Sequence, residues 1–289
     1  MTMPDFFVIG TFKSGTTALS YLLRQHRGIF LHPVIKETNF FAPDVRLGFR
    51  IEDRAEYEDL FRSASADQKI GEVCPSYLFS KVAPGLIRRE APDAKLIAVL
   101  RDPADRAFSE FMMQVRNGRR RLEDLRPQIE REMQGMLLPG DRPILAQGLY
   151  VSQLSRFWAL FPRSNIKVIL HSDLKNGALG ALNDLFDFIG VERLGHVEGD
   201  QIYNVSGIPR SAAFQYVINR VRRKRRVFKR IMPEGLRKGA MRIANKNLRK
   251  VPMSSELRSL LVSYYRADIL ALQNEIDRDL SAWLRCEAH

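Results

Sequence analysis

Gly10-Thr-Phe-Lys-Ser-Gly-Thr-Thr17 gathers one lysine, four hydroxyls and two glycines into a single short stretch. The apolar run Phe6–Ile9 precedes it, and a helical pattern, Ala18–His26, follows. Strand, glycine-bounded turn and helix together make a phosphate cradle, in which backbone N–H groups and the positive end of the helix dipole converge on one anion. The Gly10-to-Gly15 spacing matches the nucleotide loop G-x-x-x-x-G-K-[ST] up to its last two positions, where Thr16-Thr17 stand instead. The lysine of this loop is Lys13, two residues before the second glycine. That placement speaks against ATP hydrolysis and for another phosphate-bearing donor. Lys13, Ser14, Gly15, Thr16 and Thr17 are the candidate anion ligands. The competing account is a glycine turn capped by Thr16 or Thr17, with Lys13 in solvent.

Two further segments carry chemistry. Lys95-Leu-Ile-Ala-Val-Leu-Arg-Asp-Pro-Ala-Asp-Arg-Ala-Phe-Ser109 reads as a strand ending in Arg101, followed by a helix bearing Ser109. Lys36-Glu-Thr-Asn-Phe-Phe41 follows a second short strand. With the loop, these segments resemble the sulfotransferases that use 3′-phosphoadenosine 5′-phosphosulfate (PAPS), in the branch of the heparan-sulfate-type and many bacterial enzymes. Gly148-Leu-Tyr150, Leu174 and Arg278–Trp283 read like that branch too, so the resemblance runs from about residue 5 to 284.

The resemblance implies a role for each residue. Lys13 would stabilise the leaving phosphate, with Ser14, Gly15, Thr16 and Thr17 completing the cradle. Arg101, at the sheet edge where α/β folds bind ligands, would take the 3′-phosphate bidentately, with Ser109 on the same group. An ion pair of Arg101 with Asp102 or Asp105 is the alternative, and Arg106 is a weaker neighbour. Glu37 is the candidate general base; a plain surface carboxylate is the competing account. His32 is a rival base whose position before Pro33 suits a turn residue better. Lys36 would orient the acceptor or the sulfate, and the resemblance alone gives it no firm role. Arg210, within Tyr203–Ser211, would reach the 3′-phosphate, although that segment departs from the lysine–glycine–aromatic pattern of the heparan-sulfate enzymes. Arg237-Lys-Gly239 matches a nucleotide-binding tripeptide of other sulfotransferases but sits inside a charge run, where coincidence is the better account. No metal site is expected, because an activated sulfate does not oblige metal catalysis and the sequence shows no metal-ligand cluster.

The elements that must position these residues follow from periodicity and composition. The 289-residue chain is 45% hydrophobic and 27% charged, an ordinary globular composition. Candidate strands are Phe6–Ile9, Ile29–Leu31, Lys69–Glu72, Lys95–Leu100 and Lys167–Leu170; helical patterns fall between them. Alternating strand and helix imply a three-layer, P-loop-like α/β fold around a central, mostly parallel five-stranded sheet. Leu154, Phe157, Trp158 and Phe161 recur at helical spacing and are expected in the core. Residues 118–147 read as an insertion over the sheet rim, and residues 210–289 as a helical, basic C-terminal subdomain of one domain spanning 1–289.

Charge is localised rather than general. Residues 220–250 hold 14 of the 46 Lys/Arg and one acidic residue, Glu234, so this stretch accounts for the whole net charge of +13. Ser211–Met232 reads as a basic amphipathic helix suited to an anionic membrane surface, an acidic glycan or solvent. Nucleic acid fits poorly, since stacking aromatics are not interleaved. The run Phe6–Ile9 is too short for a signal peptide and lacks a basic leader, so a cytoplasmic location is expected, with peripheral membrane contact through 211–250 left open. Cys74 and Cys286 suit reduced thiols.

These expectations combine into a PAPS-dependent sulfotransferase acting on a hydroxyl, with an amine as the lesser alternative. The acceptor would be a saccharide, a lipid-linked glycan or a small metabolite. The alternatives are a P-loop-type kinase using Mg-ATP and a non-catalytic nucleotide- or polyanion-binding protein.

Overall fold

The computed structural model describes residues 3–138, 143–198, 208–209, 248–249 and 251–286. Arg210, Arg237-Lys-Gly239, the expected helix 211–232 and all of the basic stretch except Leu248–Arg249 lie outside these residues. The described residues divide into two compact units. The first is drawn from Met1–Asp102, Leu149–Tyr203 and Ala271–Arg278; the second from Pro103–Gly148, Asn204–Leu270 and Asp279–His289.

The first unit is built on five strands: β1 (Phe6–Gly10), β2 (Ile29–Leu31), β3 (Lys69–Val73), β4 (Lys95–Leu100) and β5 (Ile166–Leu170). Their order is β2-β3-β1-β4-β5, and every neighbouring pair runs parallel. The expected "mostly parallel" sheet is parallel throughout. The reason is in the strands themselves: all five residues of β1 are buried, as are the last five of β4, which is the pattern of strands covered on both faces.

Side chains alternate to fill the two faces. Phe6 and Val8 join Leu19, Leu22 and Leu23 of helix α1 (Thr16–Leu23) and Leu182, Leu185, Phe186 and Ile189 near the far edge of the same layer. Phe7 points the other way, edge-on to Phe41 and Tyr77 at centroid distances of 5.8 and 6.3 Å. Helices α2 (Arg54–Asp59), α3 (Ser76–Phe79) and α4 (Ala83–Glu90) follow β2 and β3. The short α3 packs directly on β1, so closely that a Cβ on Gly10 would lie 2.5 Å from Leu78 Cβ. Glycine at the end of β1 is therefore a packing requirement.

In the second unit lie α5 (Pro103–Arg116) and α6 (Leu125–Met133), the latter within residues 118–147. Pro103 opens α5, where its missing N–H has no helical partner to lose. Within the first unit, α7 (Tyr150–Trp158), α8 (His171–Asn176) and α9 (Ala178–Ile189) surround β5. A two-residue antiparallel ladder pairs β6 (Ile208–Pro209) with β7 (Leu248–Arg249), and the long α10 (Ser255–Ile276) follows. In the second unit Arg258 is buried, ion-paired to Asp105 at 3.2 Å and donating to the Arg285 carbonyl at 3.0 Å. No helix among the described residues is long and apolar enough to cross a membrane.

One core expectation is corrected. Leu154, Phe157 and Phe161 are buried, but Trp158 is only half-buried. Its ring carries the Arg163 guanidinium at 3.7 Å from the centroid, a cation–π contact at the surface rather than core packing.

Candidate active site

The C-terminal ends of the parallel strands all open onto one edge of the first unit, where the chain leaves β1 toward β2 on one side and the adjacent β4 toward β5 on the other. This is the switch point at which open α/β sheets bind ligands. The loop after β1 occupies it. The Thr11 N–H is tied to the Val99 carbonyl at 2.8 Å, anchoring the loop to β4. Lys13 and Gly15 then adopt left-handed backbone, with φ of 70° and 92°. Glycine takes that conformation freely, whereas lysine holds it at a cost of roughly 1–2 kcal/mol. Gly15 is the N-cap of α1 and supplies no side-chain cap, so the first N–H groups of the helix keep no side-chain acceptor from that residue.

Ser14 is fully buried, and its Oγ has no hydrogen-bond partner. A buried hydroxyl without a partner costs about 1–3 kcal/mol, so it is rarely kept without use. The orphan hydroxyl, the uncapped helix end and Lys13 fit an anion held in this loop. A side chain at Gly15 would be strained by the positive φ, and its Cβ would crowd His171 Cδ2 at 3.0 Å. His171 begins α8 directly after β5, so β5 brings an imidazole against the cradle.

Arg101 ends β4 and reaches the same loop, its Nη1 donating to the Lys13 carbonyl at 3.3 Å. Tyr150, the first residue of α7, fixes the Arg101 backbone by donating to its carbonyl at 2.7 Å. Within the second unit Asp105 accepts from Arg258 at 3.2 Å, and the buried Arg106 donates to the Ile144 carbonyl.

The loop after β2 carries the carboxylate. Lys36 Nζ donates to Thr16 Oγ1 and Thr17 Oγ1, each at 3.3 Å, and to Glu37 Oε1 at 2.9 Å. Glu37 thus stands one ammonium away from the cradle, with its side chain 39% exposed against 20% for Lys36. The rest of the motif faces inward. Thr38 Oγ1 donates to Glu72 Oε1, and Asn39, at φ 56°, donates from Nδ2 to the Phe49 carbonyl at 2.8 Å. Asn39 Oδ1 accepts from Ser76 Oγ at 2.8 Å. Phe40 stacks on Tyr57 at 4.2 Å, and Phe41 meets Tyr57 and Tyr77 edge-on.

Glu72 was not singled out from the sequence, yet it anchors this loop. It lies fully inside β3's end and accepts from Thr38, from Tyr77 OH at 2.7 Å and from Tyr57 OH at 2.8 Å. Burial pushes its carboxyl up, against the three hydroxyl donors that pull it down. The rival base His32 has a different job. Its Nδ1 accepts the Ile35 N–H at 2.8 Å and the Val34 N–H at 3.3 Å, so it braces the turn, and that nitrogen's lone pair is not available to a substrate. A cavity of about 10 Å³ between Arg24, His32, Lys36 and Glu72 is at the lower limit for one water and cannot seat an acceptor.

Lys13, Ser14, Gly15, Thr16, Thr17, Glu37 and Arg101 are therefore gathered at one edge of the first unit. Ser109 is buried on α5, in the second unit. Lys36 and His171 join the site, the first as its central hydrogen-bond donor. His171 has no local signature, because only the sheet order carries it to Gly15. Among the described residues no group of three or more His, Cys, Asp or Glu could hold a metal ion. Cys74 is a buried free thiol whose pKa burial drives far up, leaving it unreactive.

Comparison with known proteins shows the family. The family model described as "Sulfotransferase domain" matches residues 3–204. Heparan sulfate glucosamine 3-O-sulfotransferase 3B1 of Mus musculus is 29% identical over 192 residues, covering 66% of this chain and 47% of that protein. Bifunctional heparan sulfate N-deacetylase/N-sulfotransferase 4 of Mus musculus is 28% identical, covering 99% of this chain and 31% of that protein. The chain thus spans about half the length, or less, of these curated relatives. The crystal structure of a sulfotransferase from Alicyclobacillus acidocaldarius superposes with a TM-score of 0.74 at 27% identity, covering 99% of this chain and 100% of that one.

Proposed function

The chain belongs to the sulfotransferase-domain family, and from that premise we propose that it moves a sulfuryl group from PAPS to a saccharide hydroxyl or amine. The observation that carries the reading is the junction of cradle and carboxylate: Lys36 joins Thr16 and Thr17 on one side to Glu37 on the other, within hydrogen-bond reach. When bound, the donor supplies a sulfuryl group already activated on a phosphate leaving group. Positioning and electrostatics then do most of the remaining work.

Each residue has a task in the transfer. Glu37 takes the proton of the attacking hydroxyl as the new O–S bond forms. The S–O bond to the phosphate breaks, and its electron pair stays on the phosphate oxygen. Lys13, the N-terminus of α1 and the Ser14 hydroxyl offset the charge gathering there. Arg101 holds the 3′-phosphate at the end of β4, with Ser109 and Arg210 assigned to the same group. A base placed as Glu37 is contributes roughly 10²–10⁴-fold. The relatives named for heparan sulfate glucosamine support a saccharide acceptor. The basic stretch 220–250 would serve an anionic or lipid-linked form of it; absence of co-sedimentation with anionic vesicles at low salt removes the membrane version.

Calorimetric titration with adenosine 3′,5′-bisphosphate, beside ATP with magnesium, tests the reading. Metal-independent binding of the bisphosphate, weakened at least about tenfold in Arg101→Ala, is the expected result. Preference for Mg-ATP would overturn it in favour of a kinase.

A further inference from the structure

Lys36 occupies an unusual position for a residue next to a base. An ammonium has three N–H donors, and Lys36 directs them at Thr16 Oγ1, Thr17 Oγ1 and Glu37 Oε1. Two of its partners are neutral hydroxyls on the first turn of α1, each at 3.3 Å; the third is a carboxylate at 2.9 Å. The residue therefore sits between the anion cradle and the base. An anion at the α1 N-terminus would be a charged acceptor within reach of Nζ, competing directly with Glu37. Ser14 Oγ, buried and without a partner, independently marks the cradle as built for a ligand.

Loop position separates Lys36 from Lys13. Lys13 belongs to the cradle's own backbone, two residues before Gly15, and its carbonyl accepts from Arg101. Lys36 comes from the loop after β2 and faces the cradle from the side of the base. The acceptor oxygen, the sulfur and the bridging oxygen must lie nearly in line, with the base beside the acceptor. A cation on the base side of the cradle meets the sulfuryl end of the donor, whereas one inside the cradle meets the phosphate.

We propose that Lys36 is a second catalytic cation, which holds the sulfuryl group of the bound donor and gives up Glu37 to do so, so that loading the donor releases the base. This rests on the donor reading above. In the ligand-free site Lys36 and Glu37 neutralise one another. With the donor in place the ammonium turns to the sulfuryl oxygens, and Glu37 faces the acceptor with both oxygens free. The acceptor oxygen forms the new O–S bond as its proton goes to Glu37, the S–O bond to the phosphate breaks with its electron pair staying on the bisphosphate, and Lys36 returns to Glu37 after that proton is lost to water.

The test compares two ligands in four forms of the full chain, without acceptor. The ligands are PAPS and adenosine 3′,5′-bisphosphate, which lacks the sulfuryl group. The proteins are the wild type, Lys36→Met, Glu37→Gln and the double variant, and affinities are read by calorimetry. Lys36→Met should weaken PAPS about tenfold, the scale of one charged hydrogen bond, while bisphosphate affinity moves less than about twofold. Glu37→Gln should tighten PAPS severalfold by removing the competitor, and that gain should vanish when Lys36 is already methionine. Lys36→Arg, which keeps the charge, should retain most of the preference for PAPS and shows that the site tolerates change. Equal weakening of both ligands in Lys36→Met would overturn the proposal, leaving Lys36 a brace for the loop. The same gain from Glu37→Gln with and without Lys36 would overturn it too, as simple charge repulsion. Wild-type protein that binds neither ligand would remove the donor reading itself, and this proposal with it.

Discussion

The loop after β1 keeps one buried hydroxyl without a protein partner, whereas the loop after β2 ties most of its polar groups down. Ser14 Oγ is buried and unbonded, and Gly15 caps α1 with no side chain. Two loops away, Thr38 and Asn39 are bonded to Glu72, Phe49 and Ser76, and Phe40 and Phe41 are locked among tyrosines. The difference follows from what each loop has to do. A cradle must keep donors available for a ligand, and does so at some expense in stability. On the proposed reading a base must point in one direction, and the neighbours of Glu37 are fixed by packing and hydrogen bonds.

The strongest way to break this contrast is at the carboxylate. Glu37→Ala should lower turnover by roughly 10²–10⁴-fold, since it removes the base. It leaves the cradle intact, so bisphosphate affinity should stay within about twofold of wild type. Turnover and calorimetry on the same preparation check both halves. Unchanged turnover would remove Glu37 from the mechanism.

A smaller effect, on stability, is expected beneath the same loop. Glu72→Ala deprives Thr38, Tyr57 and Tyr77 of their shared acceptor, and should cost about 3 kcal/mol in denaturant unfolding. Glu72→Gln tests the charge instead of the shape. Because burial raises the folded carboxyl above its ordinary value, the native state holds that proton more tightly than the unfolded chain. Its contribution to stability is therefore full below the ordinary carboxylate range and declines as pH rises through the raised value. Glutamine does not titrate, so the wild type should lose stability relative to Glu72→Gln across that window. A constant difference across pH would show that Glu72 is not shifted.

How much of this was legible in the sequence differs between the two loops for the same reason. The cradle announces itself locally: a buried strand, two glycines, a lysine and a helix are contiguous, and β1, β2 and β4 begin at the expected residues. Arg101 was legible because a charged residue directly after six strand residues must stand at the sheet edge. Glu72 was not, since one carboxylate within Lys69-Ile-Gly-Glu-Val73 reads as the polar face of a strand; its partners Thr38, Tyr57 and Tyr77 come from three other elements. The four-residue α3 is too short to show helical periodicity, yet its close packing leaves no room for a side chain at Gly10. Trp158 failed in the opposite direction, because helical spacing identifies a face and cannot tell how far that face extends into solvent. His171 comes to Gly15 only through the pairing of β4 with β5, which no local pattern records.

Ser14→Ala should produce the smallest change, and its sign is the sharpest test of the contrast. Removing most polar side chains from a folded interior destabilises, because a partner is left unsatisfied. Ser14 Oγ has no partner to strand, so its deletion removes a desolvated group and leaves only a slight loss of volume. The ligand-free protein should then be as stable as wild type or more so, by up to about 1 kcal/mol. Bisphosphate binding should weaken at the same time, by roughly three- to tenfold, because one hydrogen bond to the phosphate is lost. Thermal unfolding with and without the bisphosphate reads both effects in one experiment: the variant should begin at or above the wild type and gain less from ligand. Had Ser14 been an ordinary structural serine, both would fall together. The same substitution at Thr38, in the loop whose bonds are closed, should destabilise the ligand-free protein by about 1–3 kcal/mol, since it strands an acceptor on Glu72. Opposite signs for one chemical change at two neighbouring loops would separate a surface built to receive a ligand from one built to hold a base in place.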